Sequence, residues 1–348
     1  MLKATGSLIL VIAVALLIFV KIHSAQDIPV EKLKPRWASS ASSFVNIDEL
    51  LSYAHDFSEE IYQFLEDWFS NKDFIFVQTS GSTGAPKQIM LQKQQMINSA
   101  LATGNYFNLQ DKTTALLCLS IDYIAGKMML IRALALGWHI DTVEPNSNPL
   151  KNVYKKYDFS AMVPLQLENS INSLNQIKTL IVGGGVVSKQ LKVKIKNLST
   201  SIFATFGMTE TITHIAVKKL NNLNVKPHFY TVLPSVKIYK DERDCLVIDA
   251  PKVSGEMIFT NDVVDLISDH QFKWLGRIDN VINSGGVKLH PEKIEEKLSK
   301  IMDQRFFVIG VSDEKLGEKL ILIVEGEQQI ISFENINLLK FEIPKETY

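Results

Sequence analysis

The chain has 348 residues, with 37 lysines and arginines against 38 aspartates and glutamates, so its formal net charge is −1. A chain of this length can bury a large core and is expected to form at least two domains. Its balanced charge argues against a nucleic-acid partner. The two cysteines, Cys118 and Cys245, lie in apolar runs. This predicts buried thiols rather than a disulfide, and no Cys/His cluster has zinc spacing.

Residues 1–25 form an apolar segment, in which residues 4–20 carry no charge and lie between Lys3 and Lys21. As a helix this run would span about 25 Å, slightly less than a bilayer core. It is interpreted as a membrane anchor or an atypical leader peptide, because a helix buried in a soluble protein would show a polar face. The rest of the chain is typical of a cytoplasmic protein. We therefore expect a cytoplasmic location, with a tether to the inner face of the plasma membrane.

A linker is predicted over residues 26–46, which contain two prolines and a serine-rich run. An amphipathic helical pattern follows over 47–70, with Asp48 and Ser58 as predicted N-caps. From 74 to 205, short apolar runs alternate with amphipathic segments, which predicts an α/β domain with a largely parallel sheet. The predicted strands are 74–78, 114–119, 139–143, 159–163, 177–182 and 201–205, and the predicted helices are 92–106, 124–136, 165–174 and 188–197.

The remainder of the chain is predicted to be β-rich over 231–275 and then to form a small α+β unit. That unit should contain helix 291–300, strands 305–311 and 318–325, and helix 332–340. We therefore expect a large N-terminal domain over 47–277 and a small C-terminal domain over 278–348.

The most informative motif is Thr79-Ser-Gly-Ser-Thr-Gly-Ala-Pro-Lys87, which follows the predicted strand at 74–78. Its glycines allow backbone N–H groups to approach a polyphosphate, its hydroxyls donate hydrogen bonds, and its lysine adds a positive charge. The spacing is not that of a P-loop NTPase. The alternative is a flexible Ser/Gly/Thr turn. The candidate phosphate-binding residues are Thr79, Ser80, Gly81, Ser82, Thr83, Gly84 and Lys87.

Two further clusters follow predicted strands. Gly183-Gly184-Gly185 permits close approach of a flat ligand, or forms only a tight turn. In the segment Thr205–Thr211, Phe206 offers a ring face for a base, Thr209 a hydroxyl for a phosphate, and Glu210 an oxygen ligand for Mg²⁺. The alternative for Thr209 and Glu210 is the first turn of a helix.

The last two clusters are Phe259-Thr-Asn-Asp262 and the segment from Trp274 to Glu292. An aspartate at the end of a strand can accept hydrogen bonds from both ribose hydroxyls, although a turn or cap is the alternative. In the second segment Arg277 can reach a sugar or phosphate, and Gly285-Gly286 gives a turn of closely approachable backbone before a helix that begins at Pro291.

The ordered motifs TSGSTGAPK, FGMTET, TND and GRIDNVINSGGVKLHPEKIE resemble those of the adenylate-forming acyl-CoA synthetases, over 74–348 and not over the first 45 residues. The segments IAGKMMLIRALALG, AMVPLQLENS and THIAVKKLN are most similar to the o-succinylbenzoate–CoA ligases of menaquinone synthesis. The resemblance implies an acyl-CoA synthetase-like α/β domain followed by a mobile α+β domain. It also implies a small carboxylic acid, ATP and coenzyme A as reactants, with Mg²⁺ as the metal.

The resemblance also implies a role for each motif. Residues 80–87 would hold the β- and γ-phosphates, and Lys87, Thr209 and Glu210 would be catalytic, with Thr209 on the α-phosphate and Glu210 on Mg²⁺. The other implied roles are adenine binding for Gly184, Gly185, Phe206 and Gly207, ribose binding for Asp262 and Arg277, a hinge for Asp279, and coenzyme A binding for Gly285, Gly286 and Lys288.

The acyl group of such a substrate would need a cationic or multi-donor partner for its second carboxylate. The candidates are His214 and Lys127, with Lys218 and Arg132 as further choices. The alternative for Lys127 and Arg132 is an ordinary helix residue that extends its charge to solvent. His214 lies four residues after Glu210, so a helix there would bring it near the adenylate.

The resemblance implies a catalytic lysine shortly after a Pro-Lys segment near the C-terminus. Residues 341–348 resemble that segment, and the sequence ends three residues after Lys345. We therefore expect a truncated sequence, and Lys345 is not assigned the role. Two alternative functions stay open: an acid–thiol ligase that loads another acid or a carrier protein, and a non-catalytic nucleotide-binding remnant. The oligomeric state is not predicted.

Overall fold

The computed structural model describes residues 46–78, 88–223, 229–302, 304–326, 333 and 336–348. The chain divides into two compact units. The first unit contains the residues up to Pro227 together with 232–236 and 250–256, and the second contains 228–231, 237–249 and 257–348. The domain boundary predicted between residues 277 and 278 lies within the second unit, and it stays a prediction.

The helices of the first unit are α1 (Ile47–Phe57), α2 (Glu59–Phe69), α3 (Lys93–Phe107), α4 (Ile124–Leu136), α5 (Pro164–Asn169) and α6 (Lys189–Ile195). The helical pattern over 47–70 is thus two helices, because Ser58 has extended backbone and its hydroxyl caps α2. The predicted cap at Asp48 is wrong. Asn46 caps α1 instead, where its side chain accepts from the Glu49 N–H at 2.9 Å.

The strands of the first unit are β1 (Phe74–Gln78), β2 (Gln88–Gln92), β3 (Thr114–Leu117), β4 (His139–Thr142), β5 (Tyr157–Met162), β6 (Ile177–Val182), β7 (Ser201–Gly207) and β8 (His214–Lys219). β1 and β2 pair with each other. The others run in the order β4-β3-β5-β6-β7-β8, in which only the β7–β8 pairing is antiparallel. The predicted α/β class with a largely parallel sheet is therefore confirmed.

The strand ends of this sheet are in register. Met162 pairs with Val182, and Val182 pairs with Ala204, so β5, β6 and β7 present their carboxyl ends at one edge. Side chains of the strands themselves, including Leu116, Leu180 and Ile202, are buried in one hydrophobic core. This packing is what continuous apolar runs in parallel strands predict.

The second unit holds the β-rich part of the chain and a small α+β part. Its elements are β9 (Tyr230–Val232, of which Val232 belongs to the first unit), β10 (Lys237–Lys240), β11 (Cys245–Asp249), β12 (Ile258–Ser268), β13 (Gln271–Arg277), β14 (Ile282–Ser284), β15 (Val287–Leu289), α7 (Pro291–Leu298), β16 (Phe306–Asp313), β17 (Gly317–Val324) and β18 (Glu346–Thr347). β10, β11, β12, β13 and β9 form successive antiparallel pairs. The remaining strands run β15-β14-β17-β16, with β18 parallel to β17.

The helix predicted over 332–340 is wrong in its described residues, 333 and 336–340, none of which is helical. Phe333, Ile336 and Leu338 all pack against the core formed by α7, β16 and β17. Ile336 and Leu338 are two residues apart, a spacing that an extended segment rather than a helix places on one side. The apolar residues of this segment therefore serve a core without forming helical structure.

Both cysteines are buried and unpaired, as predicted. Burial raises the pKa of the Cys118 thiol to about 12. In the described ranges, no helix has the length and apolarity needed to cross a bilayer. The predicted anchor at 4–20 and linker at 26–46 lie outside the described residues.

Candidate active site

The glycines at 183–185 follow β6 directly and lie at the carboxyl edge of the parallel strands. The N–H of Gly183 donates to the Met162 carbonyl at the end of β5, over 3.1 Å. On the other side, the Thr205 hydroxyl of β7 donates to the Val182 carbonyl, also over 3.1 Å. The ends of three strands are therefore tied together at the edge where open α/β sheets bind ligands.

Two of these glycines disfavour a side chain, Gly183 because of a close contact and Gly184 because of its backbone conformation. A Cβ on Gly183 would lie 2.7 Å from the Thr205 hydroxyl oxygen, and Gly184 has a φ of +73°. Gly185 lies against the Pro164 ring, where a Cβ would be 3.5 Å away. The segment thus offers bare backbone beside the end of β7, which fits a flat ligand such as a purine.

The predicted nucleotide-binding residues at 206–210 begin in β7 and end in a single 3₁₀ turn at Thr209–Thr211. Phe206 and Thr209 are half-buried, and Glu210 is exposed. The α-helix considered for Thr209 and Glu210 does not form. Instead, the chain reverses and returns as β8, antiparallel to β7.

The reversal after Glu210 is tightly packed. A Cβ on Gly207 would lie 2.1 Å from the Thr213 carbonyl oxygen, so β7 and β8 approach each other more closely than any side chain would allow. The Thr211 hydroxyl donates to the carbonyls of Met208 and Thr213, and it accepts from the Met208 N–H. These contacts fix the backbone that carries Thr209 and Glu210.

His214 begins β8, so the idea that a helix carries it towards the adenylate is wrong. The imidazole is buried, and its Nε2 atom has no hydrogen-bond partner. Burial, with a smaller contribution from Arg132, lowers the pKa of His214 to about 3. The residue lines a cavity of about 30 Å³, which has room for water but not for an aromatic acid.

The other acyl-site candidates differ in their surroundings. Lys127 donates its ammonium to the Ile121 carbonyl and lies 5.1 Å from the centre of the Phe64 ring. Burial lowers the pKa of this lysine. Lys218 is half-buried in β8, opposite Ala204. The interpretation of Lys127 as a solvated helix residue is therefore wrong, since its charge is held inside the unit.

Arg132 is a buried cation in α4, with 2% of its surface exposed. Its Nε donates to the Thr103 hydroxyl and its Nη2 to the Thr213 hydroxyl, each over 3.3 Å. Burial lowers the pKa of Arg132 to about 10. The interpretation of Arg132 as a residue that extends its charge to solvent is also wrong.

In the second unit, Asp262 and Arg277 occupy opposite positions on β12 and β13. Asp262 lies within β12 rather than at a strand end, which corrects the expectation from sequence. The buried carboxylate accepts from the Trp274 indole N–H at 2.8 Å. Burial raises the pKa of Asp262, and the hydrogen bond from Trp274 and the charge of Arg277 oppose that rise.

Asp279 lies in a 3₁₀ turn that follows β13. Its carboxylate accepts from the Arg277 guanidinium at 2.9 Å and from the Asn261 amide at 3.2 Å. The hydrogen bond from Arg277 is the main cause of the lowered pKa of Asp279. The next residue, Asn280, donates to a carboxylate oxygen of Glu292 at 2.7 Å, which joins this turn to the start of α7. The predicted hinge residue is therefore the centre of a local polar network.

Gly285 and Gly286 form the two-residue turn between β14 and β15, with φ of +58° and +78°. A hairpin turn with positive φ at both central positions explains why both are glycine. Lys288 is exposed on β15. A role for these residues along the path of coenzyme A stays a prediction.

The predicted phosphate loop, from Thr79 to Lys87, lies outside the described residues. Sequence reasoning gave no role to Trp274, which holds Asp262, or to Thr211 and Thr213, which hold the turn beside Glu210. The sequence marked Trp274 only as part of the segment that follows the TND motif, and not as the partner of Asp262, because that contact depends on strand register. The threonines gave no comparable signal.

A family model described as AMP-binding enzyme matches residues 3–264. The chain belongs to this family. The match begins at residue 3, so the expectation that the resemblance excludes the first 45 residues is wrong. The predicted membrane tether at 4–20 finds no support in these comparisons.

Several solved and curated proteins are similar to this AMP-binding enzyme. An acyl-CoA synthetase (AMP-forming)/AMP-acid ligase II-like protein from Dyadobacter fermentans is 35% identical, over 83% of this chain and 87% of that one, with a TM-score of 0.61. A 2-succinylbenzoate–CoA ligase from Bacillus cereus is 24% identical over 327 residues, which are 81% of this chain and 67% of the relative.

The o-succinylbenzoate coenzyme A synthetase of Bacillus subtilis, solved with ATP and magnesium ion, has the same fold. The identity is 17%, the TM-score is 0.68, and the match covers 87% of this chain and 78% of that one. The acyl-CoA synthetase fold is thereby confirmed, and the chain is an acid–thiol ligase of the AMP-forming class. ATP, Mg²⁺ and coenzyme A are the cosubstrates and metal of this class.

Among the described residues, no group of three or more His, Cys, Asp or Glu side chains could hold a metal ion. An Mg²⁺ that accompanies a nucleotide does not need such a cage, because phosphates and waters complete its shell around one or two carboxylates. Glu210 is exposed in the 3₁₀ turn that follows β7. An exposed carboxylate in the turn after β7 therefore fits a magnesium nucleotide.

Proposed function

We propose that this enzyme joins o-succinylbenzoate to coenzyme A in two steps. In the first, a carboxylate oxygen of the acid attacks the α-phosphorus of ATP, and pyrophosphate leaves from the resulting acyl-adenylate. In the second, the thiol sulfur of coenzyme A attacks the acyl carbon, gives up its proton, and AMP leaves. Because ATP and coenzyme A are cytoplasmic reactants, we place the reaction in the cytoplasm.

The observation that carries the proposal is the meeting of two motifs at the carboxyl edge of the parallel strands. Gly183 is bonded to the end of β5, and Thr205, the first residue of the motif that continues to Thr211, is bonded to the end of β6. In this arrangement adenine would lie between the glycines and Phe206. Thr209 would donate to the α-phosphate. Adenylyl transfer depends on such positioned donors and charges more than on covalent help from the protein.

Glu210 would hold the Mg²⁺ that accompanies ATP. When bound, this ion neutralises the negative charge that develops on the phosphate oxygens. Lys87 and the hydroxyls from Thr79 to Thr83 would contact the β- and γ-phosphates, as the motif predicts.

Ribose binding is proposed for two residues of the second unit. Asp262 has one carboxylate oxygen held by Trp274, which leaves the other to accept from the ribose hydroxyls, and Arg277 lies opposite it in the pairing of β12 with β13. Asp279 would act as the hinge, and Gly285, Gly286 and Lys288 would contact coenzyme A.

The choice of o-succinylbenzoate is supported by the similarity to 2-succinylbenzoate–CoA ligases. Arg132 and His214 are left out of the proposed acyl site, because the guanidinium is bonded to Thr103 and Thr213 and the cavity beside the imidazole has no room for an aromatic acid. Lys127 is left out of the proposed acyl site, because its ammonium is already bonded to the Ile121 carbonyl. The ring carboxylate is the feature that distinguishes this acid from simpler aromatic acids.

The test is an ATP–pyrophosphate exchange assay on the purified protein with o-succinylbenzoate, benzoylpropionate, benzoate and malonate. Benzoylpropionate lacks the ring carboxylate but keeps the reacting one. Exchange with o-succinylbenzoate at least about tenfold faster than with benzoylpropionate would support the proposed substrate, since one charge-assisted contact is worth about that much. Equal rates would reject it.

A second assay separates free coenzyme A from a carrier protein as the thiol acceptor. Preformed acyl-adenylate is mixed with coenzyme A or with a phosphopantetheinylated carrier protein, and thioester is measured by mass spectrometry. Thioester formation with coenzyme A supports the ligase. Formation with the carrier alone would favour the alternative that we left open, and formation with neither would favour a non-catalytic nucleotide-binding protein.

A further inference from the structure

The turn after Glu210 contains a strained residue. Ile212 has φ of +65° and ψ of −64°, and the Thr213 N–H donates to the Thr211 carbonyl over 2.7 Å. These values define a γ-turn with positive φ, which is rare even for flexible residues and unfavourable for a β-branched one. Strain of this kind persists only where the surrounding structure enforces it.

Several contacts enforce the turn at Ile212. The side chain of Ile212 is fully buried, and the hydroxyl of Thr211 bonds to the backbone on both sides of the turn. The hydroxyl of Thr213 then shares a hydrogen bond with Ser99 at 3.0 Å and accepts from Arg132. The turn is thus fixed to α3 and α4, the two helices that carry Ser99 and Arg132.

Arg132 is itself held in place by the same helices. Its Nε donates to the Thr103 hydroxyl, and that hydroxyl donates to the Ser99 carbonyl at 3.0 Å. Ser99 and Thr103 are four residues apart on α3, so both face the guanidinium. Within the described residues, Arg132 has no salt bridge to a carboxylate. Burying a cation without an ionic partner costs several kcal/mol, so its presence here calls for an explanation beyond stability.

We propose that Arg132 and Thr213 are positioning residues, which hold the strained turn at Ile212 so that Thr209 and Glu210 are fixed where the α-phosphate and Mg²⁺ bind. This inference rests on the proposed function. Thr209 and Glu210 lie two to three residues before Ile212, so a shift of the turn displaces both of them together. Holding such groups in advance lowers the barrier, because no reorganisation is needed during the reaction.

The first test replaces Thr213 with valine, which keeps the shape and removes the acceptor for Arg132. We expect the maximal exchange rate to fall about 10- to 100-fold, the range that a small misplacement of catalytic groups produces. The Mg²⁺ concentration for half-maximal rate should rise, and the KM for the acid should stay the same. Thr213→Ser keeps the hydroxyl and should retain the wild-type Mg²⁺ dependence.

The matched control is Thr200→Val. Thr200 is buried, whereas Thr213 is half-buried, and the Thr200 hydroxyl donates to the Leu174 carbonyl, away from the turn. It should lower the melting temperature as Thr213→Val does, but leave the Mg²⁺ dependence unchanged. If Thr200→Val and Thr213→Val have the same effect on Mg²⁺ dependence, Thr213 has only a structural role and the inference is overturned.

A second pair of variants tests the strain without any assay of turnover. Ile212→Ala and Ile212→Gly both remove the buried side chain, but only glycine accepts φ near +65° without cost. The glycine variant should therefore melt at a higher temperature than the alanine variant. The glycine variant should also bind Mn²⁺·ATP more weakly than the alanine variant, because glycine makes the turn less rigid. Electron paramagnetic resonance measures this binding. A lower melting temperature for glycine, or equal Mn²⁺·ATP binding, would overturn the inference.

The two proposals fail in different ways. If the wild-type protein shows no exchange with any acid, the proposed function fails, while the melting and Mn²⁺ measurements still test the turn. If exchange is normal in wild type and unaffected in Thr213→Val, the ligase stands and the positioning role is rejected.

Discussion

The indole N–H of Trp274 donates to a carboxylate oxygen of Asp262 across 2.8 Å. The two residues lie on neighbouring strands of one hairpin, where β12 pairs with β13. The bond stabilises the ionised carboxylate in a buried position, where burial raises the pKa. The Trp274 N–H and the charge of Arg277 offset part of the cost of burying this carboxylate, which is proposed to bind ribose as an anion.

Replacement of Trp274 by phenylalanine should weaken ATP binding. It removes a hydrogen bond to a charged group, which is worth about 1.5–3 kcal/mol, so the KM for ATP should rise at least about tenfold. The pKa of Asp262 should rise further, which moves the acidic limb of the pH–rate profile to higher pH. Exchange assays at a series of pH values measure both effects. An unshifted acidic limb would count against ribose binding by the Asp262 anion.

Replacement of Glu210 by glutamine should abolish most activity without affecting the fold. The carboxylate is exposed, so the free energy of unfolding should change by less than about 0.5 kcal/mol. The exchange rate should fall about 100-fold, as for other preorganised electrostatic groups. Glu144→Gln, at another exposed position of the same unit, is the control. Unimpaired exchange in Glu210→Gln would remove Glu210 from the magnesium site.

Replacement of Gly207 by alanine should destabilise the first unit severely. The new Cβ would lie 2.1 Å from the Thr213 carbonyl oxygen, a backbone atom that cannot rotate away. We expect a loss of about 3 kcal/mol in the free energy of unfolding. Gly255→Ala is the control, because its Cβ would meet nothing closer than 4.0 Å. Urea unfolding compares the two, and similar midpoints would show that β7 and β8 can move apart.

His214 should make the protein sensitive to acid. Its pKa falls from 6.5 to about 3 on folding. As the pH decreases, the unfolded chain therefore protonates this histidine before the folded chain does. The contribution of neutral His214 to the free energy of unfolding is fully present above pH 6.5, and it is lost as the pH falls towards about 3. By about pH 4 the loss should reach roughly 3 kcal/mol.

The comparison variant for this prediction is His214→Phe, which keeps a ring in the buried position and cannot titrate. The difference in unfolding free energy between neutral and acidic solution should be smaller in the variant by roughly 3 kcal/mol. Urea titrations at both pH values provide the measurement. Identical pH dependence in the two proteins would mean that His214 is already solvated in the native state.

The sequence allowed much of the first unit to be predicted, because hydrophobic runs bounded by glycine have few alternatives. The strand at 177–182 and the helix at 124–136 were predicted at their observed bounds. The strand that begins at His214 was missed, because the preceding Thr-Glu pair is equally typical of a helix start. The close approach of Gly207 to Thr213 favours the strand over the helix, and this contact arises only once β7 and β8 are paired.

The same distinction applies to the candidate site. Glycine and threonine positions near strand ends could be predicted, since turns and phosphate contacts require particular residue types. The partners of Asp262 and Arg132 could not, because they depend on strand register and on how two helices pack. Trp274 lies 12 residues from Asp262, and Thr213 lies 81 residues from Arg132. Local sequence patterns carry no information over such separations.

Both natural thiols are enclosed in the native protein, since Cys118 and Cys245 each have 0% of their surface exposed. A maleimide dye should therefore leave the folded wild-type chain unmodified. Two cysteines introduced at exposed sites on either side of Asp279 would then be the only targets for a donor and an acceptor fluorophore. Single-molecule energy transfer could follow the expected rotation at Asp279 during turnover without first removing any native cysteine.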